Sequence, residues 1–256
     1  MSDSGIAATF FKNICLCITF IPYKSSAMRK IVYPFLLSVL VILCASNDSF
    51  AQKETRDLPE FTKVSFAISG HLYIRQGDKQ SVVLEGDDLD EIVTEVSGRR
   101  LKIKRKNSNW WWNNKRVDIY ITLGKLEGVS VSGSGKVTGE SKFLTEKMDI
   151  SVSGSGNVEL EMEAGTIDTR ISGSGKILLT GNTEDIKISI SGSGRMLAED
   201  LRSERCKISI SGSGSCRIYV TKEIDAHVSG SGNIYYRGDP DKVYHHASGS
   251  GSIKKM

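Results

Sequence analysis

Cysteine is almost missing from the part of this chain that carries the repeating pattern. Of five cysteines in 256 residues, only Cys206 and Cys216 lie beyond residue 51. With no histidine pair at ligand spacing beside them, they outline no zinc site. Both stand where the pattern below places inward-facing aliphatic residues, so they read as small buried hydrophobes. A disulfide across one coil is the alternative, permitted outside the cytoplasm. Charge of one sign is lacking too. Residues 52–256 hold 30 basic and 28 acidic side chains, a net charge of +2. That gives no electrostatic case for nucleic acid. The apolar stretch Ile31 to Ala45 spans fifteen residues and contains Pro34, short of the roughly 20 residues a membrane-spanning helix needs. No repeat holds a run long enough for an ordinary helix.

What is present is Ser-Gly-Ser-Gly, seven times. The copies begin at Ser132, Ser153, Ser172, Ser191, Ser211, Ser229 and Ser248, at intervals of 21, 19, 19, 20, 18 and 19 residues. A fixed period near 20 marks stacked supersecondary units. One residue before each copy stand Val131, Val152, Ile171, Ile190, Ile210, Val228 and Ala247. Five residues after each first serine stand Val137, Val158, Ile177, Met196, Cys216, Ile234 and Ile253. Apolar residues alternate with polar ones on both sides of the tetrapeptide, as in strands with one buried face. Each repeat therefore reads strand, Ser-Gly-Ser-Gly corner, short strand and variable return. A return of under ten residues is too short for a helical crossover. The pattern predicts an all-β parallel β-helix, a solenoid of about seven coils, rising about 4.8 Å per coil. Serines at equivalent corners would form hydroxyl ladders.

The amino-terminal residues divide differently. Met28-Arg29-Lys30, the apolar stretch after it and Ser49-Phe50-Ala51 have the form of a signal peptide over 28–51, cleaved after Ala51. Residues 1–27 precede this better start and read as an extension from a misassigned initiation codon. Residues 52–125 carry the same alternation irregularly and 126–256 carry it regularly. They are expected to form one domain, the first part capping the solenoid with wider, irregular coils.

The order of elements resembles a known family, the auto-transporter adhesin head or GIN domain (DUF2807). The matching stretches are Ile68-Ser69-Gly70 with Ile74 to Asp78, Leu84-Glu85-Gly86-Asp87, Gly98 to Ile103, and Leu126 to Gly135 with the later copies. The resemblance implies a right-handed, single-stranded β-helix, export in a Bacteroidetes-like cell, and no catalytic residues to carry over. An auto-transporter passenger is followed by a membrane barrel. No run of alternating ten-residue barrel strands follows Gly251 in this sequence, so the protein is not expected to export itself.

Candidate chemistry is sparse. Seven equivalent serines lack the Gly-x-Ser-x-Gly spacing of a nucleophile elbow, and the glycines fail the Gly-x-Gly-x-x-Gly test. Calcium-binding rolls place Asp after their glycines. Here Lys136, Asn157, Lys176, Arg195, Ser215, Asn233 and Ser252 follow them. Asp149 and Asp168 share an outward register in adjacent coils, a pair able to hold a cation or serve glycoside chemistry, or simply screened by solvent. His227 and His246 share another outward register and are the metal candidates. Trp110, Trp111 and Trp112, set among asparagines and basic residues, cannot all face one side of a strand. They suit stacking on sugar rings or a partner, or insertion at a membrane interface, or they cover the open end of the core. The expected function is that of an exported, non-enzymatic, adhesin-like envelope protein, periplasmic, surface-located or secreted, without cofactor, binding a glycan or a cell-surface protein. A carbohydrate-active protein and a purely structural envelope protein are the alternatives.

Overall fold

The computed structural model describes residues 52–106 and 117–256. The leader read at 28–51, the extension before it and Trp110–Trp112 lie outside the described residues. The described chain is an all-β solenoid of about seven turns, with parallel strands stacked rung on rung. The regular part begins with β8 (Gly128–Gly133), after seven shorter strands introduced below. It continues through β9 (Lys136–Gly154), β10 (Asn157–Gly173), β11 (Lys176–Gly192), β12 (Arg195–Gly212) and β13 (Ser215–Gly230). It ends with β14 (Asn233–Arg237), β15 (Lys242–Ser248) and β16 (Ser252–Lys255).

The Ser-Gly-Ser-Gly segments are the corners. Each long strand starts just after one corner and ends at the first glycine of the next, and the corners stay in register: Ser153 pairs with Ser172, Ser172 with Ser191, Ser191 with Ser211. Backbone hydrogen bonds run through the bend itself, Ser193 N donating to Gly173 O at 2.9 Å and Arg195 N to Gly175 O at 2.9 Å. The expected short strand followed by a variable return is corrected. β9 to β13 are continuous strands of 16 to 19 residues that include the return. Pairing there is between backbones, which any residue can supply. Differences in coil length are taken up at register shifts, as between Glu159 and Glu161.

The inward columns follow the alternation. Val131, Val152, Ile171, Ile190, Ile210 and Val228 are buried one above another, as are Val137, Val158, Ile177, Met196, Cys216 and Ile234. Fully burying one such side chain is worth about 1.5–3 kcal/mol, and a continuous column collects that in every coil. Thr169 intrudes in a third column and is fully buried, but its Oγ1 donates to Lys187 O at 3.2 Å, which removes the cost of an unpaired hydroxyl. A second ladder, unread in the sequence, lies eight residues before each corner at Thr145, Ala164, Thr183, Ser203 and Thr221. Thr183 Oγ1 donates to Gly165 O at 3.2 Å, Ser203 Oγ to Tyr219 O at 2.6 Å and Thr221 Oγ1 to Ser203 O at 3.1 Å. These hydroxyls satisfy carbonyls where the coil turns.

Cys206 and Cys216 are free, buried thiols. Each continues an aliphatic column, Cys206 between Ile186 and Ile224, Cys216 between Met196 and Ile234. Burial pushes both thiols well above their ordinary range, and the neutral thiol is a poor nucleophile. Both should therefore resist alkylation at pH 8 in the folded protein and react once denaturant opens the coils. Peptide mapping after iodoacetamide treatment reads this directly. Fast labelling of the native protein would contradict the buried assignment.

The irregular section is not simply a set of wider coils. β2 (Lys63–Phe66) lies parallel to β8, and β3 (His71–Gln76) parallel to β9, with Ala67 to Gly70 forming their corner. β6 (Arg100–Arg105) and β7 (Val117–Leu123) add a further rung on β2 and β3. Beyond that rung the pairing reverses. β4 (Ser81–Gly86) runs antiparallel to β7, β1 (Gln52–Arg56) antiparallel to β4, and β5 (Ile92–Ser97) antiparallel to β6. A parallel stack would otherwise end in unpaired backbone groups, which invite association with other chains. Phe61, Leu89 and Ile92 are buried at this end. Arg56 ties its two sides, donating to Ile92 O at 2.6 Å, Leu89 O at 3.0 Å and Thr94 Oγ1 at 3.0 Å.

Candidate binding surface

Alternation along each strand turns every second side chain outward, so each outward position forms a column up the rod. The corner columns are serine. Both serines of every Ser-Gly-Ser-Gly are exposed, and the ladder extends into the irregular section, where Ser69 Oγ lies 3.0 Å from Ser134 Oγ. Ser130 and Ser151 hydroxyls pair similarly one column away.

Asp149 and Asp168 are register partners, as the repeat spacing predicts. Cations claim each of them. Lys63 Nζ is 3.2 Å and Lys147 Nζ 3.8 Å from Asp149, and Arg170 Nη2 is 2.8 Å from Asp168. Arg100 also lines the same shallow cleft. The paired carboxylates therefore sit in a mixed-charge surface, which disfavours them as a bare acidic site for a cation. On the return, Arg205 meets Asp185 in a two-pronged contact of 2.6 and 2.7 Å. That hydrogen bonding holds the Asp185 carboxyl below its usual range.

His227 and His246 are brought together. They are register partners in β13 and β15, with ring centroids 6.2 Å apart and planes tilted by 48°. His227 Nε2 lies 2.8 Å from Asp225 Oδ1, and Lys207 Nζ 3.0 Å from Asp225 Oδ2. Lys207 hydrogen bonding, ahead of the nearby histidine, keeps the Asp225 carboxyl below its ordinary range. Among the described residues no three or more His, Cys, Asp or Glu side chains are grouped to hold a metal ion.

The outward face of β3 and β7 carries a feature the sequence reading missed. Tyr73 and Tyr120 are register partners, half-buried and stacked, with centroids 5.0 Å apart and planes 11° from parallel. His71 lies 5.8 Å from Tyr73, ring to ring. Arg75 and Glu140 pair at 2.9 Å nearby. Desolvation, then the carboxylates of Glu85 and Asp118, raises the Tyr120 phenol above its usual range. The available signal was a tyrosine between inward residues in each strand, Leu72-Tyr73-Ile74 and Ile119-Tyr120-Ile121.

Trp110, Trp111 and Trp112 lie outside the described residues, between β6 and β7 in the sequence. β6 pairs with β2 and β7 with β3. β6 and β7 thus occupy, in one rung, the same two strand columns that β2 and β3 occupy in the next.

Three comparisons bear on kinship. A family model described as "Putative auto-transporter adhesin, head GIN domain" (DUF2807) matches residues 60–240. No curated protein matches. Among solved structures, the chain is similar to a putative adhesin from Bacteroides fragilis, at 28% identity and a TM-score of 0.78, covering 82% of this chain and 98% of that one. A structure described as a putative lipid binding protein from Parabacteroides distasonis is 27% identical with a TM-score of 0.66, over 82% and 98% of the two chains. A putative adhesin from Parabacteroides merdae, 20% identical with a TM-score of 0.65 over 82% and 97%, shares the fold. Among the described residues no helix is long and apolar enough to cross a membrane.

Proposed function

This chain belongs to the auto-transporter adhesin head GIN domain family, and from that premise we propose that it is an exported, adhesin-like envelope protein that binds glycan without turning it over. The observation that carries the reading is the Tyr73–Tyr120 stack, an outward aromatic pair on a surface that elsewhere carries columns of hydroxyls and many mutual ion pairs. Sugar rings present C–H faces that pack on aromatic rings, while their hydroxyls need polar partners at the edge. Arg75 and Glu140 flank this pair. Trp110, Trp111 and Trp112 precede β7 in the sequence and would add aromatic surface to it. The leader at 28–51 would carry the chain out of the cytoplasm, to the periplasm, the surface or the medium. A protein ligand on a neighbouring cell is the alternative outcome of the same test.

The test is a glycan array, with a parallel pull-down on intact bacterial cells, using residues 52–256. Replacing Trp110, Trp111 and Trp112 together with alanine is expected to weaken glycan binding at least tenfold, or about 1.4 kcal/mol. The melting temperature should stay within about 2 °C of the parent, since a change under about 0.5 kcal/mol moves it no further in a chain this long. Release of new reducing ends from a bound polysaccharide would replace the binding reading with the carbohydrate-cleaving one. Capture of a cell-surface protein with no array signal would replace glycan with protein. A fall in melting temperature without any binding phenotype would make the tryptophans a cover for the rod end.

A further inference from the structure

We propose that His227 and His246 form a binding site for one divalent cation of the zinc, nickel and copper class. Neutral imidazole is a preferred ligand for these ions. The parallel register places the two histidines on adjacent rungs, side by side and outward, with ring centroids 6.2 Å apart. Metal–nitrogen bonds of about 2.0–2.1 Å bring two coordinating nitrogens to roughly 3 Å from each other. The second torsion of histidine is soft, and both rings are exposed, so the His246 ring is free to turn toward His227 without moving the backbone.

The second argument is the support behind His227. Metal-bound histidines usually donate their other ring N–H to a carboxylate, which fixes the tautomer and raises the basicity of the coordinating nitrogen. Asp225 Oδ1 stands 2.8 Å from His227 Nε2. A proton on Nε2 donated to that carboxylate leaves Nδ1 with its lone pair for the ion. Asp225 is in turn held by Lys207 at 3.0 Å. The chain Lys207–Asp225–His227 crosses two rungs of the rod, so the solenoid itself sets the geometry. Water completes the coordination shell, since only two protein nitrogens converge. This is an open surface site, suited to taking a metal from solution or bridging to a ligand group on another molecule.

The experiment is isothermal titration of the tag-free chain with nickel or zinc chloride, with magnesium chloride as the control for non-specific charge binding. Saturable binding of one ion per chain for nickel or zinc, and none for magnesium, is the expected result. His246→Ala and His227→Ala should each abolish it, and His71→Ala should leave it intact. Asp225→Asn keeps both imidazoles and should weaken binding about tenfold or more. Circular dichroism on each variant checks that the fold persists, which the exposure of both rings favours. Absence of saturable heat from the parent chain overturns the site. So does binding that survives in a folded His227→Ala, His246→Ala double variant.

Discussion

Replacing Gly192 with alanine is expected to cost about 3 kcal/mol, within the roughly 2–6 kcal/mol spanned by backbone strain of roughly 1–3 kcal/mol and overpacking of roughly 1–3 kcal/mol. Two independent facts demand glycine there. Gly192 has φ of +108°, where a side chain is strained whatever the space. A Cβ at this position would also stand 2.8 Å from Gly173 O in the rung below, an atom fixed by its own hydrogen bond to Ser193 N. Backbone cannot swing aside as a flexible side chain can. The next glycine of the same corner fails for a different reason. A Cβ on Gly194 would meet Ile171 Cγ2 at 2.4 Å, within the packed inward column. The serines between and beside them point to solvent, so Ser191→Ala and Ser193→Ala should each change stability by less than about 0.5 kcal/mol. Thermal melts separate the cases. About 3 kcal/mol lowers the midpoint by some 6–12 °C in a chain of this size, while the serine variants should melt with the parent. A Gly192→Ala protein melting within 2 °C of the parent would mean that the corners tolerate side chains and that rung spacing does not depend on the glycines.

That contrast explains what the sequence could show about the fold. Corner and flanking columns are legible because side chains create them. Only glycine fits the bend, and only apolar residues fit behind it. The return is not legible, because its pairing uses backbone groups common to all residues, and the sequence there looks like a loop. The hydroxyl ladder at Thr145, Thr183, Ser203 and Thr221 was visible as a position, eight residues before each corner. Its meaning needed the carbonyls it satisfies, one rung or two residues away. At the candidate sites, register predicted neighbours well. Asp149 lies beside Asp168, and His227 beside His246. It could not predict what else arrives. Lys63, which pairs with Asp149, comes from β2, 86 residues away, and Tyr73 meets Tyr120 only because β7 folds back beyond β3. The antiparallel cap was hidden for a related reason: β4 and β5 have the alternation of any half-buried strand, and β1, Gln-Lys-Glu-Thr-Arg, has no apolar residue to mark it as a strand.

The coil that departs most from the repeat makes the second large prediction. The first interval is 21 residues against 19 for the next. The surplus is taken up where Thr138 pairs with Glu159 but Lys142 with Glu161, leaving Gly139, Glu140 and Ser141 opposite one residue. Such a bulge widens the coil locally, and the added width must be filled. Phe143 fills it. Its side chain is fully buried and lies against Gly139, where an added Cβ would stand 2.7 Å from the ring. Gln76 fixes the outer side of the bulge, its N–H donating to Ser141 Oγ at 2.9 Å and its Oε1 accepting from Leu144 N at 2.8 Å. Because that clasp holds the backbone, the walls cannot close over a lost ring, and the cavity term is paid in full. Phe143→Ala should therefore cost about 3–5 kcal/mol, lowering the melting midpoint by on the order of 10 °C. Phe143→Leu keeps most of the volume and should cost under about 1.5 kcal/mol. Leu144, its neighbour, is 56% exposed and gives only its backbone N–H to the clasp, so Leu144→Ala should stay within about 0.5 kcal/mol. Denaturant midpoints for the three variants settle the matter. Equal losses at Phe143 and Leu144 would mean that the bulge collapses as a unit and that the ring has no special place in it.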